Sequence, residues 1–72
     1  MSTIRTGTEV RWTWGNGSAT GKVKRRFTRK VTRTLDGSEI TKNGTEDCPA
    51  LLIEQDDGSV VLKLRSEVER AD

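Results

Sequence analysis

The sequence predicts an all-β domain: a small five-stranded barrel. Three observations predict it. Val10, Trp12 and Trp14 alternate with Arg11 and Thr13, which puts the three apolar side chains on one face of a strand. Two Asp-Gly pairs, Asp36-Gly37 and Asp57-Gly58, each sit between runs of alternating or apolar residues and read as hairpin turns. The chain has 72 residues, enough for one domain, and shows no helical period of useful length and no internal repeat.

The elements follow in order. Residues 1–6 are polar and expected to form a flexible N-terminus. The first strand runs from Thr8 to Trp14. Gly15-Asn16-Gly17-Ser18 turns the chain back through Gly21 into Val23. A long second strand, Thr20 to Leu35, is rich in Val, Thr, Phe and Arg, and a strand of that length is expected to bend or bulge. A two-residue turn at Asp36-Gly37 sets Leu35 opposite Ser38, Arg33 opposite Ile40 and Val31 opposite Lys42, so Val31, Leu35 and Ile40 share a face. Residues 43–49 form a loop. A second hairpin, with a two-residue turn at Asp57-Gly58, sets Gln55 opposite Val60, Ile53 opposite Leu62 and Leu51 opposite Leu64. That register leaves Leu52 and Val61 on the outer face with Glu54 and Lys63. Ser66-Glu67-Val68-Glu69 reads as a capping box over one short helical turn, and residues 70–72 as a flexible C-terminus.

Short strands in a chain of this length point to an SH3-like or Tudor-like barrel spanning residues 7–69. A small OB-like barrel is the alternative, and it usually needs more residues. The expected core is Val10, Trp12, Val23, Val31, Ile40, Leu51, Ile53, Val60, Leu62 and Leu64.

Composition limits the chemistry. There is no histidine and one cysteine, Cys48, so neither an internal disulfide nor a zinc site of imidazoles or several thiolates is expected. Glu46 and Asp47 beside Cys48 are expected to raise its pKa and discourage the thiolate. No pair of residues is singled out as a nucleophile and its base, so no catalytic residue is assigned and no enzyme activity is expected. Asp56-Asp57-Gly58 has too few oxygen donors for a calcium loop. No metal and no cofactor is called for. No apolar run suggests a signal peptide or a membrane span, so the expected compartment is the cytoplasm, with no membrane partner.

The net charge of +2 conceals an asymmetry: residues 1–36 carry +7 and residues 37–72 carry −5. Such a molecule steers a charged partner, stacks on itself, or neutralises its charges across neighbouring strands. Lys22, Lys24, Arg26 and Lys30 share one parity of the long strand, with neighbours two apart separated by about 6.6 Å. They form a candidate track for a nucleic-acid backbone. Arg25, Arg29 and Arg33 take the opposite parity, between Val23, Phe27, Val31 and Leu35, and are expected at the barrel rim. Trp12, Trp14 and Phe27 are the three aromatic residues and the candidate aromatic surface. A cage for a methylated cation needs several such walls, and core packing is the competing role for these rings.

The chain resembles the hypervirulence-associated protein TUDOR domain family. The resemblance rests on Gly7-x-x-Val10-x-Trp12-x-Trp14-Gly15-x-Gly17 and Gly21-x-Val23. It continues in Pro49-Ala50-Leu51-Leu52-Ile53, Asp56-Asp57-Gly58, Val61-x-Lys63 and Ser66-Glu67. Lys24–Lys42 is the least family-like stretch, and Cys48 stands where an acidic or polar residue is expected. The resemblance implies a Tudor-like five-stranded barrel and supplies neither a reaction nor a ligand. Together with the missing catalytic groups and the split charge, it leads to a non-catalytic adaptor that binds a protein or peptide through the barrel surface. A nucleic-acid-binding module and an oligomerisation or structural module are the alternatives. Monomer and weak homodimer are both compatible with the charged edges.

Overall fold

The computed structural model describes residues 4–35 and 37–71. Seven β-strands appear among them: β1 (Glu9–Trp14), β2 (Gly17–Phe27), β3 (Lys30–Leu35), β4 (Ser38–Asn43), β5 (Ala50–Glu54), β6 (Val60–Leu64) and β7 (Glu69–Arg70). A single 3-10 turn, Arg65–Glu67, joins β6 to β7. The first sheet is antiparallel in the order β6-β5-β2-β1-β7, and the second is the hairpin β3-β4. The two edge strands of the larger sheet are thus consecutive in the chain, so the sheet curls back on itself through the 3-10 turn. This is a small Tudor-like all-β fold.

β1 pairs with β2 across a two-residue turn, with Trp14 opposite Gly17 and Val10 opposite Gly21. Gly15 takes a φ of +50°, a left-handed conformation that glycine adopts without steric cost. The expected long strand is divided. A bulge between Val23 and Arg25 shifts the register of β2 on β5 by one residue. The chain then bends at Thr28 and Arg29 before β3 leaves for the second sheet. A strand that serves two packing surfaces must change direction, and the bulge and bend do this.

Two buried clusters lie on opposite faces of the larger sheet. The first holds Ile4, Val10, Trp12, Val23, Leu51, Ile53 and Val68, with Ala19 and Val61 against it. The second holds Phe27, Val31, Ala50 and Leu62, with Leu35, Ile40, Leu52 and Leu64 against it. The β3-β4 hairpin supplies Val31, Leu35 and Ile40 and so covers that second face. Its register matches the sequence expectation: Leu35 opposite Ser38, Arg33 opposite Ile40, Val31 opposite Lys42.

The second hairpin corrects that expectation. Ile53 lies opposite Val61, Leu52 opposite Leu62 and Leu51 opposite Lys63, one residue away from the expected pairing. The turn is the cause. Gln55 N donates to Ser59 O at 2.8 Å and Gly58 N to Gln55 O at 2.9 Å, so three residues rather than two span the loop, with Gly58 at φ +88°. A type I turn followed by a left-handed residue is the usual three-residue hairpin loop. Burial does not oppose the shift, because β5 is covered on both faces: Leu51 and Ile53 point into one cluster, Ala50 and Leu52 into the other. Leu52 and Val61 are therefore packing residues, not outward ones. Of the expected core, Ile40, Val60 and Leu64 are only half-buried, while Ile4, Phe27, Ala50 and Val68 join it.

Described residues near both ends are also tied in; Asp72, the last residue of the expected C-terminal tail, lies outside the described residues. Ile4, expected in a flexible terminus, is 3% exposed in the first cluster; residues 1–3 lie outside the described residues. Arg70 pairs with Val10, and Ala71 N donates to Glu9 O at 2.9 Å, so β7 extends into the expected C-terminal tail. The cap near this end starts at Leu64, not Ser66: Leu64 N donates to Glu67 Oε1 at 2.8 Å, three residues away as in a capping box. Glu69 is free to bridge Arg11 at 2.6 Å instead.

Candidate functional site

The structure places the three aromatic residues in three different surroundings. Trp12 is 6% exposed in the first cluster, and Phe27 is 8% exposed in the second. Trp14, at the end of β1, is 61% exposed and its ring lies beside Gly17. Three rings that do not converge form no cage. Phe27 has cationic neighbours of its own: the Arg29 and Arg33 guanidinium carbons stand 5.5 and 5.3 Å from its ring centroid, within cation–π range.

The four cations of the expected track are all exposed, but they do not form one row. Lys22 sits between Glu9 on β1 and Glu54 on β5 in register. Lys24 Nζ is 3.4 Å from Glu54 Oε1 and occupies the bulge, where the alternation breaks. Arg26 lies beyond the bulge opposite Leu51, and Lys30 begins β3 opposite Asn43 on the other sheet. Acidic neighbours thus partly neutralise one end of the track, as opposite charges on adjacent strands do. The other end is different. Among the described residues, Arg25, Arg26, Arg29, Lys30 and Arg33 have no carboxylate within ion-pairing distance.

Cys48 is half-buried in the loop before β5. Hydrogen bonds from the Ser66 side chain and backbone, assisted by the Arg65 backbone and charge, hold its thiol below the ordinary value. That reverses the expectation drawn from Glu46 and Asp47. The fold brings residues 65 and 66 to the thiol because Arg65 N donates to Pro49 O at 2.8 Å. No basic side chain is placed as its proton acceptor by any of these contacts. At the β5-β6 turn, Asp57 Oδ1 accepts from Ser59 Oγ at 2.6 Å and from Ser59 N at 2.9 Å, which lowers the Asp57 pKa. These carboxylates close a turn. No group of three or more His, Cys, Asp or Glu is arranged to hold a metal ion among the described residues.

A concavity lies between the tip of the β3-β4 hairpin and the start of β6, with a volume of about 630 Å³. Thr34, Leu35, Ser38 and Ile40 line one side; Gln55, Ser59, Val60 and Val61 line the other. The lining is neutral, with four apolar and four polar residues. Its second property is a strand edge. The Gln55–Ser59 bond starts an alternation of bonded pairs that continues at Ile53/Val61 and Leu51/Lys63. Val60, Leu62 and Leu64 therefore turn their N–H and C=O groups away from β5. Leu64 N spends its donor on Glu67, and Val60 carries its pair beside the groove. No local pattern marks this site, since its two walls are about 20 residues apart and only the packing of one hairpin beside the other creates it.

No helix among the described residues is long and apolar enough to cross a membrane. No curated protein and no solved structure matches the chain. The family model of the hypervirulence associated proteins TUDOR domain matches residues 7–68, which takes in β1 to β6 and the turn that closes the sheet, and the chain belongs to that family.

Proposed function

We propose that the protein is a non-catalytic binding module whose ligand is an extended segment of another protein, taken up by strand addition along β6. The open edge at Val60, beside a half-apolar groove of about 630 Å³, carries this reading. Main-chain hydrogen bonds supply affinity in strand addition, and pockets for alternate side chains supply selectivity. Leu35, Ile40 and Val60 offer apolar surface to a ligand's apolar side chains, and Thr34, Ser38, Gln55 and Ser59 offer polar groups. The absence of histidine and of an activated nucleophile–base pair among the described residues supports a binding role over a reaction. A cytoplasmic protein partner is part of this reading, as no apolar run reaches ten residues.

The test is selection from a library of unstructured peptides, followed by an amide NMR titration of the selected pool. Shifts concentrated at Val60–Leu62 and Ser38–Ile40 are expected. Val60→Pro removes the outward N–H at the first position of a strand, where proline is tolerated, and should abolish binding with the fold retained. Binding that survives Val60→Pro unchanged refutes strand addition at this edge. The same edge offers a second copy of the chain a place to pair, and a mass that rises with concentration and falls back in Val60→Pro would assign it to self-association instead.

A second reading, a nucleic-acid-binding module using Lys22, Lys24, Arg26 and Lys30, draws support from the exposure of all four and from the unpaired state of Arg26 and Lys30 among the described residues. It predicts affinity that falls steeply with salt.

A further inference from the structure

Phe27 ends β2 with two guanidiniums over its ring, one from Arg29 in the bend at 5.5 Å and one from Arg33 on β3 at 5.3 Å. Cations gathered this closely repel one another unless anions join them. Yet Arg25, Arg26, Arg29, Lys30 and Arg33 have no carboxylate partner among the described residues, while Arg11, Lys24 and Lys42 each have one. Arg33 Nε is buried with no hydrogen-bond acceptor there. Such an atom in a folded protein calls for an explanation, and its burial leaves only the terminal nitrogens of the fork to meet an acceptor. The Phe27 ring fixes the two forks in place, so little side-chain freedom remains to be lost when an oxyanion binds them.

From this geometry we infer that the Arg29–Phe27–Arg33 stack is an oxyanion clamp for the phosphate backbone of a single-stranded nucleic acid. It rests on the second functional reading above and moves the site from the Lys22–Lys24 end of the strand to the bend. Five cations over nine residues suit several successive phosphates better than one. The chain bends at Thr28 and Arg29; a single strand follows such a bend, whereas a duplex with a persistence length of about 150 base pairs resists it. Phe27 is 8% exposed and its ring is already occupied, so base stacking falls to the outer face of the exposed Arg29 guanidinium. That contact tolerates any base. Binding is therefore independent of sequence.

The experiment is fluorescence anisotropy with a labelled 12-nucleotide oligothymidylate, at several salt concentrations, on the full chain. For wild type a log–log salt slope of about −2 to −3.5 is expected, because each phosphate on a single strand contributes about −0.7. The double variant Arg29→Gln/Arg33→Gln should weaken binding at least tenfold. Arg33→Lys keeps the charge and loses the fork, and should weaken it several-fold. Lys22→Gln/Lys24→Gln should weaken it less than Arg29→Gln/Arg33→Gln does. Circular dichroism melting of each variant separates lost binding from lost fold. Binding abolished by Lys22→Gln/Lys24→Gln and untouched by Arg29→Gln/Arg33→Gln overturns the clamp and leaves the nucleic-acid reading standing. No binding by folded wild type at low salt overturns both. A phosphoserine peptide that outcompetes the oligonucleotide on the same arginines overturns the nucleic-acid assignment.

Discussion

Gly21 and Ile53 meet at the point where β2 lies on β5 with no space between them: a Cβ at position 21 would stand 2.6 Å from Ile53 Cγ2 and 2.7 Å from the Glu54 carbonyl oxygen. Real Cβ contacts are longer, and a carbonyl cannot rotate away as a side-chain tip can. Gly21→Ala should therefore destabilise the domain by about 2–3 kcal/mol, the upper part of the range for overpacking, seen as a lower urea midpoint. A substitution with no loss would mean that the β2–β5 contact is looser than described.

Leu51 and Ile53 are fully buried in the first cluster, whereas Ile40 is half-buried at the edge of the second. Truncating either of the first two to Ala should cost about 2–5 kcal/mol. In a domain of this size that approaches the whole stability. Ile40→Ala should cost about 1 kcal/mol, in proportion to the smaller area it covers. Chemical denaturation of the three variants gives the order.

Glu67 ties the end of β6 to the β3-β4 hairpin. Burial pushes its carboxyl pKa up, but the Leu64 N–H and the Lys42 ammonium outweigh that and hold it below the ordinary value. Its Oε1 accepts from Leu64 N at 2.8 Å and from Lys42 Nζ at 3.0 Å. A carboxylate depressed in the folded state contributes stability above its unfolded pKa, about 4.3, and loses that contribution as pH falls through the folded value. Glu67→Gln should then be less stable than wild type at pH 7 by about 0.5–1 kcal/mol, a figure suited to a partly exposed pair. The gap should close below about pH 4. Thermal melts of both proteins from pH 7 to pH 3 measure it, and a gap that is constant with pH would show that charge plays no part.

Cys48 should alkylate with iodoacetamide along a pH profile whose midpoint lies below that of an ordinary thiol, about 8.5, because Ser66 is the first cause of its lowered pKa. Ser66→Ala should move the midpoint up towards that value. Rates followed by mass spectrometry decide it, and an unchanged midpoint would remove Ser66 from the account.

The two tryptophans should report separately. Trp12 is buried and Trp14 is 61% exposed, so Trp14→Phe should leave only the blue-shifted emission of a buried indole, with stability nearly unchanged. Trp12→Phe should leave the red-shifted one and lower the stability, since a buried ring is replaced by a smaller one.

Much of the fold was legible because some strands bury one face only. The alternation Val10, Trp12 on β1 and the pairing around residues 36 and 37 each predict what the structure shows. The candidate site was less legible. Lys22, Lys24, Arg26 and Lys30 share a parity in the sequence, but a bulge at Lys24 and a bend after Phe27 part them. Neither feature has a composition of its own; both arise where one strand must serve two sheets. Arg29 and Arg33 drew notice only as rim residues, because their common position over Phe27 depends on that bend.

Taken alone, the sequence determined an all-β domain of Tudor-like type, its turn positions, the register of one hairpin and the lack of histidine-based or disulfide chemistry. Period-two patterning and turn chemistry are local, so they can be read from neighbours in the chain. The tertiary structure alone decided the register of β5 on β6, the burial of Ile4 and Val68, the groove beside Val60 and the stack on Phe27. The burial and the groove depend on segments distant in the chain meeting, and the stack on the bend after Phe27; for the register the reason is that once β5 is buried on both faces, apolar alternation no longer distinguishes inside from outside. Loop length and the packing of the second hairpin then select among registers that the pattern leaves equivalent.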